Sequence, residues 1–148
     1  PASIDELTRI GDEGVLALVC DSTNVFNPLP SGSEGGVLRG LGERLADVDW
    51  IHLEAEQFEI YRGQALLPAI DAYLVARGFE LAGFTSYSIY AVDALYCNRR
   101  LGVSRRRLWS AFPYLRRNWL KLHKHRVKRW LRRRVGLPEW PRAGAHGG

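Results

Sequence analysis

The feature that most constrains the fold is the uneven distribution of charge along the chain. Residues 1–98 contain 15 acidic and 5 basic side chains, whereas residues 99–134 contain 15 Lys or Arg and no acid. The net charge of +5 hides this division, because the two regions have charge balances of −10 and +15. The sequence therefore predicts an acidic body followed by a basic segment.

The basic segment also has a helical pattern of apolar residues. Successive apolar residues are separated by 3, 4 or 8 positions and share one face, which Arg126 interrupts. They are Leu108, Phe112, Leu115, Trp119, Leu122 and Trp130. Pro113 suits the first turn or a bend of such a helix. We therefore expect a cationic amphipathic helix within residues 101–135 and a disordered, Gly- and Pro-rich tail over 136–148.

The acidic body alternates between strand-like and helix-like segments. Ser3 and Glu6 have capping-box spacing, which predicts a short helix over 3–10. Further helices are predicted over 33–45 and 64–77, and strands over 15–20, 50–56, 80–90 and 92–98, the last two forming a pair. This order predicts an α/β fold, a small layered sheet with flanking helices that is partly Rossmann-like, followed by the cationic helix.

A polar cluster directly follows the apolar run Val15–Cys20. Asp21-Ser22-Thr23-Asn24 comes first, and Ser31-Gly32-Ser33-Glu34 follows beyond a Pro-containing loop. This pattern resembles a segment of the metallo-β-lactamase-fold (β-CASP) ribonuclease J family over residues 5–43. The resemblance implies hydrolysis of RNA with two zinc ions and a metal-ligand role for Asp21.

The ribonuclease J family also carries an H-x-H-x-D-H signature, which this chain lacks. His123-Lys124-His125 is followed by Arg126, where the signature requires an acid and a histidine. Because one carboxylate cannot hold a zinc pair, we do not expect bound zinc. A ribonuclease J-like RNA hydrolase fragment is therefore the alternative interpretation of the chain.

A second resemblance covers residues 47–98. Its motifs are Trp50–Glu56, Ile60–Gln64, Ile70–Leu74, Arg77-Gly78-Phe79 and Asp93–Tyr96. They resemble the C-terminal part of FkbM-type methyltransferases. The resemblance implies transfer of a methyl group from S-adenosylmethionine to a glycan or small-molecule hydroxyl. Since the Gly-rich cofactor loop of that family belongs to the other half, we interpret the chain primarily as a methyltransferase fragment, incomplete as a catalyst on its own.

Two glutamates are the candidate catalytic residues. Glu54 and Glu56 alternate along the second predicted strand, so both face the same side of the sheet. One of them can act as a general base, and the alternative is a solvated strand end. His52 lies on the same face and is a weaker candidate.

The basic segment is the candidate surface for an anionic partner. An anionic membrane or glycan surface, a nucleic acid, and intramolecular packing on the acidic body remain as alternatives. If it acts mainly by binding, the chain is a non-enzymatic binding module. The candidate residues are Arg105, Arg106, Arg107, Trp109, Arg116, Arg117, Trp119, Lys121, Lys124, Arg126, Lys128, Arg129, Trp130, Arg132, Arg133 and Arg134.

The patterns divide the chain into four regions. We predict a ribonuclease J-like arm over 1–43, a methyltransferase-like region over 44–100, the basic helix over 101–135 and the tail over 136–148. No apolar run reaches the roughly 20 residues of a membrane span, and the polar start is unlike a secretory signal. We therefore expect a cytoplasmic protein, with a peripheral position at the inner membrane surface if the helix binds lipid.

Overall fold

The computed structural model describes residues 7–10, 15–20, 37–58 and 65–137. This part of the chain is α/β, with one five-stranded sheet and flanking helices. The strands are β1 (Leu7–Ile10), β2 (Val15–Cys20), β3 (Trp50–Glu56), β4 (Phe79–Tyr87) and β5 (Ala91–Asn98). In the sheet their order is β1-β2-β3-β5-β4.

The strand pairing confirms most of the predicted strands. β3 has the predicted bounds, and β4 pairs with β5 antiparallel, as expected for the two last strands. β5 inserts between β3 and β4, which makes these three strands an antiparallel unit. β2 joins β3 in parallel. The edge of the sheet next to the basic segment is therefore β4.

The helix predicted over residues 3–10 is wrong where the structure describes it. Residues 7–10 form β1 and pair antiparallel with β2, Leu7 opposite Leu18 and Ile10 opposite Val15. The capping-box spacing is a local signal of about 1 kcal/mol, and pairing with an adjacent strand satisfies several backbone groups at once. Tertiary pairing therefore overrides the local preference.

Four α-helices lie in the described ranges. They are α1 (Val37–Gly40), α2 (Leu67–Val75), α3 (Arg105–Ala111) and α4 (Pro113–Arg134). The helix predicted over 33–45 is shorter than expected. After α1 the chain continues as a 3-10 turn over Gly42–Asp47, because Gly42 has a φ of 51° that ends the regular helix.

Two apolar clusters lie on opposite faces of the sheet. Ile51 and Leu53 of β3 belong to the larger cluster, which also contains buried leucines of α1, α2 and α4. Trp50, one position earlier on the strand, packs instead with Leu108 and Leu115 of the basic segment. Since side chains alternate along a strand, the basic helices contribute to the cores on both faces.

The predicted boundary between residues 43 and 44 falls between β2 and β3. These strands pair side by side in one sheet, Ala17 opposite Trp50 and Cys20 opposite Leu53. The four-region division stays a prediction. Its last region, 136–148, lies almost wholly outside the described residues, as do residues 21–36.

Candidate functional site

The basic segment forms a helical hairpin of α3 and α4. Ser104 caps α3 by accepting a hydrogen bond from the Arg107 backbone N–H, with 3.4 Å between the two atoms. Phe112 separates the two helices in a non-helical conformation, and Pro113 occupies the first position of α4. The sequence therefore folds locally as expected, with the helix begun at Pro113.

This hairpin is docked on the open edge of β4. The Asn118 side-chain amide donates hydrogen bonds to the backbone carbonyls of Phe84 and Thr85, each at 3.1 Å. The Trp109 indole N–H donates to the Ala82 carbonyl at 2.8 Å. An edge strand exposes unpaired backbone groups, and these three bonds satisfy some of them. Of the three alternatives for the basic segment, intramolecular packing is therefore realised for one face of the hairpin.

Gly83 allows the helix to approach the strand closely. It has a φ of 153°, and a Cβ built at this position would lie 2.8 Å from Leu115 Cβ. Leu115 itself is fully buried. Only glycine fits this backbone conformation without displacing α4.

Two of the predicted partner-binding aromatics are used inside the protein. Trp119 stacks on His123 with 3.7 Å between ring centroids, and it lies 5.4 Å from Trp109. His123 Nδ1 is 2.9 Å from the Trp119 carbonyl oxygen. Trp119 therefore connects the two helices of the hairpin. Trp109 contacts β4 and also lines a groove between α3 and α4.

A basic groove lies between α3 and α4 on the side away from the sheet. Its volume is about 910 Å³. The cations that line it are Arg106, Arg116, Arg117, Lys121 and Lys124, together with Trp109, Ser110, Pro113 and Leu120. Among these described lining residues none is acidic. Five of the predicted cations are thus brought together around one aromatic side chain.

The remaining predicted cations are distributed differently. Arg105 forms an ion pair with Glu80 at 3.1 Å, and the Arg134 guanidinium lies 5.0 Å from the Trp130 ring centroid. Arg126 lines a separate cavity between α2 and α4. Lys128, Arg129 and Arg132 border a smaller pocket near the end of β3. Arg107 and Arg133 are exposed.

Glu54 and Glu56 lie two positions apart on β3, as predicted. Glu54 is half-buried and lies opposite Asp93 of β5. Glu56 is 8% exposed, and its Oε2 has no hydrogen-bond partner among the described residues. Burial raises the pKa of the Glu56 carboxyl above its usual range, because the charged form is poorly solvated there.

The nearest histidine on the same strand has a structural partner. His52 Nε2 is 2.7 Å from the Thr85 hydroxyl, which in turn donates to the Asp93 carbonyl at 3.3 Å. This chain of contacts connects β3, β5 and β4. The catalytic roles of Glu54 and Glu56 stay predictions.

Asp21, the predicted metal ligand, lies outside the described residues. Within the ranges that the structure describes, no group of three or more His, Cys, Asp or Glu side chains is placed to hold a metal ion. The metal-ligand role of Asp21 therefore stays a prediction.

The structure adds interface residues that the sequence reasoning missed. Gly83, Asn118 and Thr85 make the contacts between the hairpin and the sheet. Two signals were available: a glycine inside a strand marks a bulge or close approach, and Asn118 is a polar residue between Leu115 and Leu122 on the apolar face. Both signals indicate an interface without naming its partner.

The fold and the groove together define the class of protein: an α/β domain whose sheet edge is covered by a basic helical hairpin. One known relative adds to this description. Over 73 residues the chain is 40% identical to Ribonuclease J from Corynebacterium glutamicum, a stretch that makes up 49% of this chain and 10% of that relative. The ribonuclease J resemblance is thus supported, and the chain covers about a tenth of the relative's length.

No family model and no solved structure matches the chain. Nothing in these comparisons supports the methyltransferase resemblance of residues 47–98, which stays a prediction. None of the described helices is long and apolar enough to cross a membrane.

Proposed function

We propose that the protein binds RNA through the basic groove between α3 and α4. The observation that carries this proposal is the convergence of five cations and Trp109 on one groove with no acidic residue in its lining. Lys and Arg neutralise backbone phosphates and release counterions, and an aromatic side chain stacks on an unpaired base.

RNA is the nucleic acid that the ribonuclease J similarity favours. The docking on β4 supports the proposal as well. Asn118 and Trp109 attach the inner side of the hairpin to the sheet, and this attachment restrains the helix backbone that carries the groove cations. A binding surface that is ordered before association loses less entropy when the ligand binds.

The test is a binding titration with a fluorescent RNA oligonucleotide over a series of salt concentrations. R117Q/K121Q removes two groove cations, whereas R107Q/R134Q removes two exposed cations outside the groove. We expect R117Q/K121Q to weaken binding roughly tenfold and to lower the slope of log affinity against log salt by about 1.4. The control pair should stay within about twofold of the parent protein.

Equal losses of RNA affinity in the two variants would indicate general charge attraction and would contradict specific binding at the groove. Absence of RNA binding by the parent protein at low salt would overturn RNA binding altogether.

An anionic membrane surface is the second candidate, and a separate observation favours it. Leu120, Val127 and Leu131 lie on one face of α4 at steps of 7 and 4 residues and are 48%, 56% and 49% exposed. Apolar residues between cations are typical of helices that lie in a lipid interface. V127Q/L131Q should reduce sedimentation with phosphatidylglycerol vesicles and leave RNA affinity unchanged. Vesicle binding without RNA binding would replace the first candidate.

The two catalytic interpretations both require residues that the described part of the chain does not supply. A hydrolase would need metal ligands beyond Asp21, and we propose no step through zinc. Zinc content near zero together with no RNA cleavage would end that interpretation. A methyltransferase would use Glu54 or Glu56 as a base in a partly Rossmann-like fold, with S-adenosylmethionine held by residues elsewhere. Calorimetry that detects no heat with S-adenosylmethionine would end it.

A further inference from the structure

A small pocket lies where the end of β3, the end of β4 and the outer part of α4 meet. Its volume is about 200 Å³. Gln57 and Phe58 directly follow β3, Tyr87 ends β4 and Ile89 lies in the turn after it. The lining residues from α4 are His125, Lys128, Arg129 and Arg132. The pocket is thus smaller than the clefts of 300 Å³ or more that hold drug-sized ligands.

Aromatic and cationic side chains together line this pocket. The Arg129 guanidinium lies 4.3 Å from the Phe58 ring centroid, which fixes the ring. The Tyr87 and His125 rings meet edge to face with 5.6 Å between centroids. No acidic residue is among the described residues that line it. The pocket therefore suits a flat aromatic group that carries negative charge nearby.

The Tyr87 ring forms part of the pocket wall, next to the His125 ring. Its hydroxyl oxygen is buried, so a ligand in the pocket contacts the ring and not the hydroxyl. The neighbouring Gln57 side-chain amide donates to the Ser88 carbonyl at 2.8 Å. The contacts that the pocket offers a ligand are therefore mainly aromatic rings and cations.

A row of cations connects this pocket to the groove. Arg117, Lys121, Lys124, Lys128 and Arg132 follow one another along α4 at steps of 4, 3, 4 and 4 residues, and all five are exposed. Such spacing places them on one face of the helix. At 1.5 Å per residue the row is about 22 Å long. The first three members line the groove and the last two line the pocket.

We propose that this pocket receives one unpaired base of an RNA strand whose phosphates follow the row of cations. The inference rests on the RNA binding proposed above. It adds that the ligand is single-stranded RNA. The pocket has room for one base, and a base in a duplex is paired and stacked inside the helix. Extracting that base costs a few kcal/mol, so the protein prefers single-stranded RNA to duplex RNA.

The experiment compares one oligonucleotide as a single strand and as a duplex at the same salt concentration. We expect the single strand to bind at least tenfold more tightly. Phe58→Leu removes an aromatic ring from the pocket and keeps an apolar side chain, and we expect it to weaken single-strand binding three- to tenfold without changing duplex binding. Phe112→Leu is the matched control on an exposed phenylalanine outside the pocket, and it should have no effect.

A second measurement places the base directly. An oligonucleotide that contains 4-thiouridine should crosslink to the peptide that carries Phe58 or the one that carries Tyr87. Equal affinity for the two RNA forms, or an unchanged single-strand affinity in Phe58→Leu, would overturn base binding in the pocket and leave RNA binding by the groove intact. A free nucleoside monophosphate that raises the Tm without any preference for single strands would indicate a nucleotide site instead. Failure to bind RNA in either form would overturn both proposals.

Discussion

The first and second halves of α4 differ in burial and in charge: residues 113–123 contain three Lys or Arg, and residues 124–134 contain seven. In the first half, Leu115, Asn118 and Leu122 are buried against the sheet. In the second half, Val127, Trp130 and Leu131 are 56%, 54% and 49% exposed. The difference follows from β4: its open edge and Gly83 provide a place for the first half, and the helix then extends past the end of the strand. Burial along this helix therefore depends on the neighbouring strand as well as on composition, and the outer half stays mostly exposed.

The strongest test of this comparison is a matched pair of leucines. Leu115→Ala should lower the free energy of unfolding by about 3 kcal/mol, because it leaves a cavity in a fully buried position. Leu131→Ala should change it by less than about 0.5 kcal/mol. Urea denaturation followed by circular dichroism measures both values. Similar losses in the two variants would break the distinction between the halves.

A second test concerns the close approach at Gly83. Gly83→Ala places a Cβ 2.8 Å from Leu115 Cβ, and we expect a loss of about 2 kcal/mol. Gly42→Ala is the control, since Gly42 also has a positive φ but has open space around it. We expect about 1 kcal/mol there, from backbone strain alone. The excess loss at Gly83, measured by the same denaturation, combines the helix–strand contact with the larger backbone strain at a φ of 153°.

A smaller effect should come from the polar contact between α4 and β4. Asn118→Leu keeps the size of the side chain and removes both hydrogen bonds to the strand, which should cost about 1 to 2 kcal/mol. Hydrogen exchange should then become faster in the first half of α4 and stay the same in the second half. Ser110→Ala, at an exposed position of α3, is the control. Unchanged exchange in Asn118→Leu would assign the docking to apolar contacts alone.

The smallest expected effect concerns Glu56 of β3, outside the basic hairpin. Because burial raises the pKa of Glu56 in the folded state, the folded protein holds its proton more tightly than the unfolded chain does. Stability from this group is therefore present at low pH and lost as pH rises from the unfolded pKa through the raised folded value. Glu56→Gln should remove that decline from a series of denaturation curves between pH 4 and pH 8. A slope that persists in the variant would assign the decline to another group.

Patterns among neighbouring residues predicted most of the strands and the basic helix correctly. The bounds of β3, the pairing of β4 with β5 and the start of α4 at Pro113 all agree with the structure. The helix predicted from Ser3 and Glu6 was wrong over residues 7–10, because pairing with β2 is a contact to another segment. The candidate surface was predicted as a set of 16 residues, without a division into docked and exposed members.

The sequence by itself determined that the C-terminal segment is a cationic amphipathic helix on an α/β body, since charge and helical period are properties of neighbouring residues. The tertiary structure decided which face of that helix is used inside the protein. Gly83 and Thr85 are about 30 residues from the helix positions they contact, so no local pattern connects them. Only when β4 and α4 meet do Asn118 and Trp119 turn inward and Arg117, Lys121 and Lys124 come to line a groove.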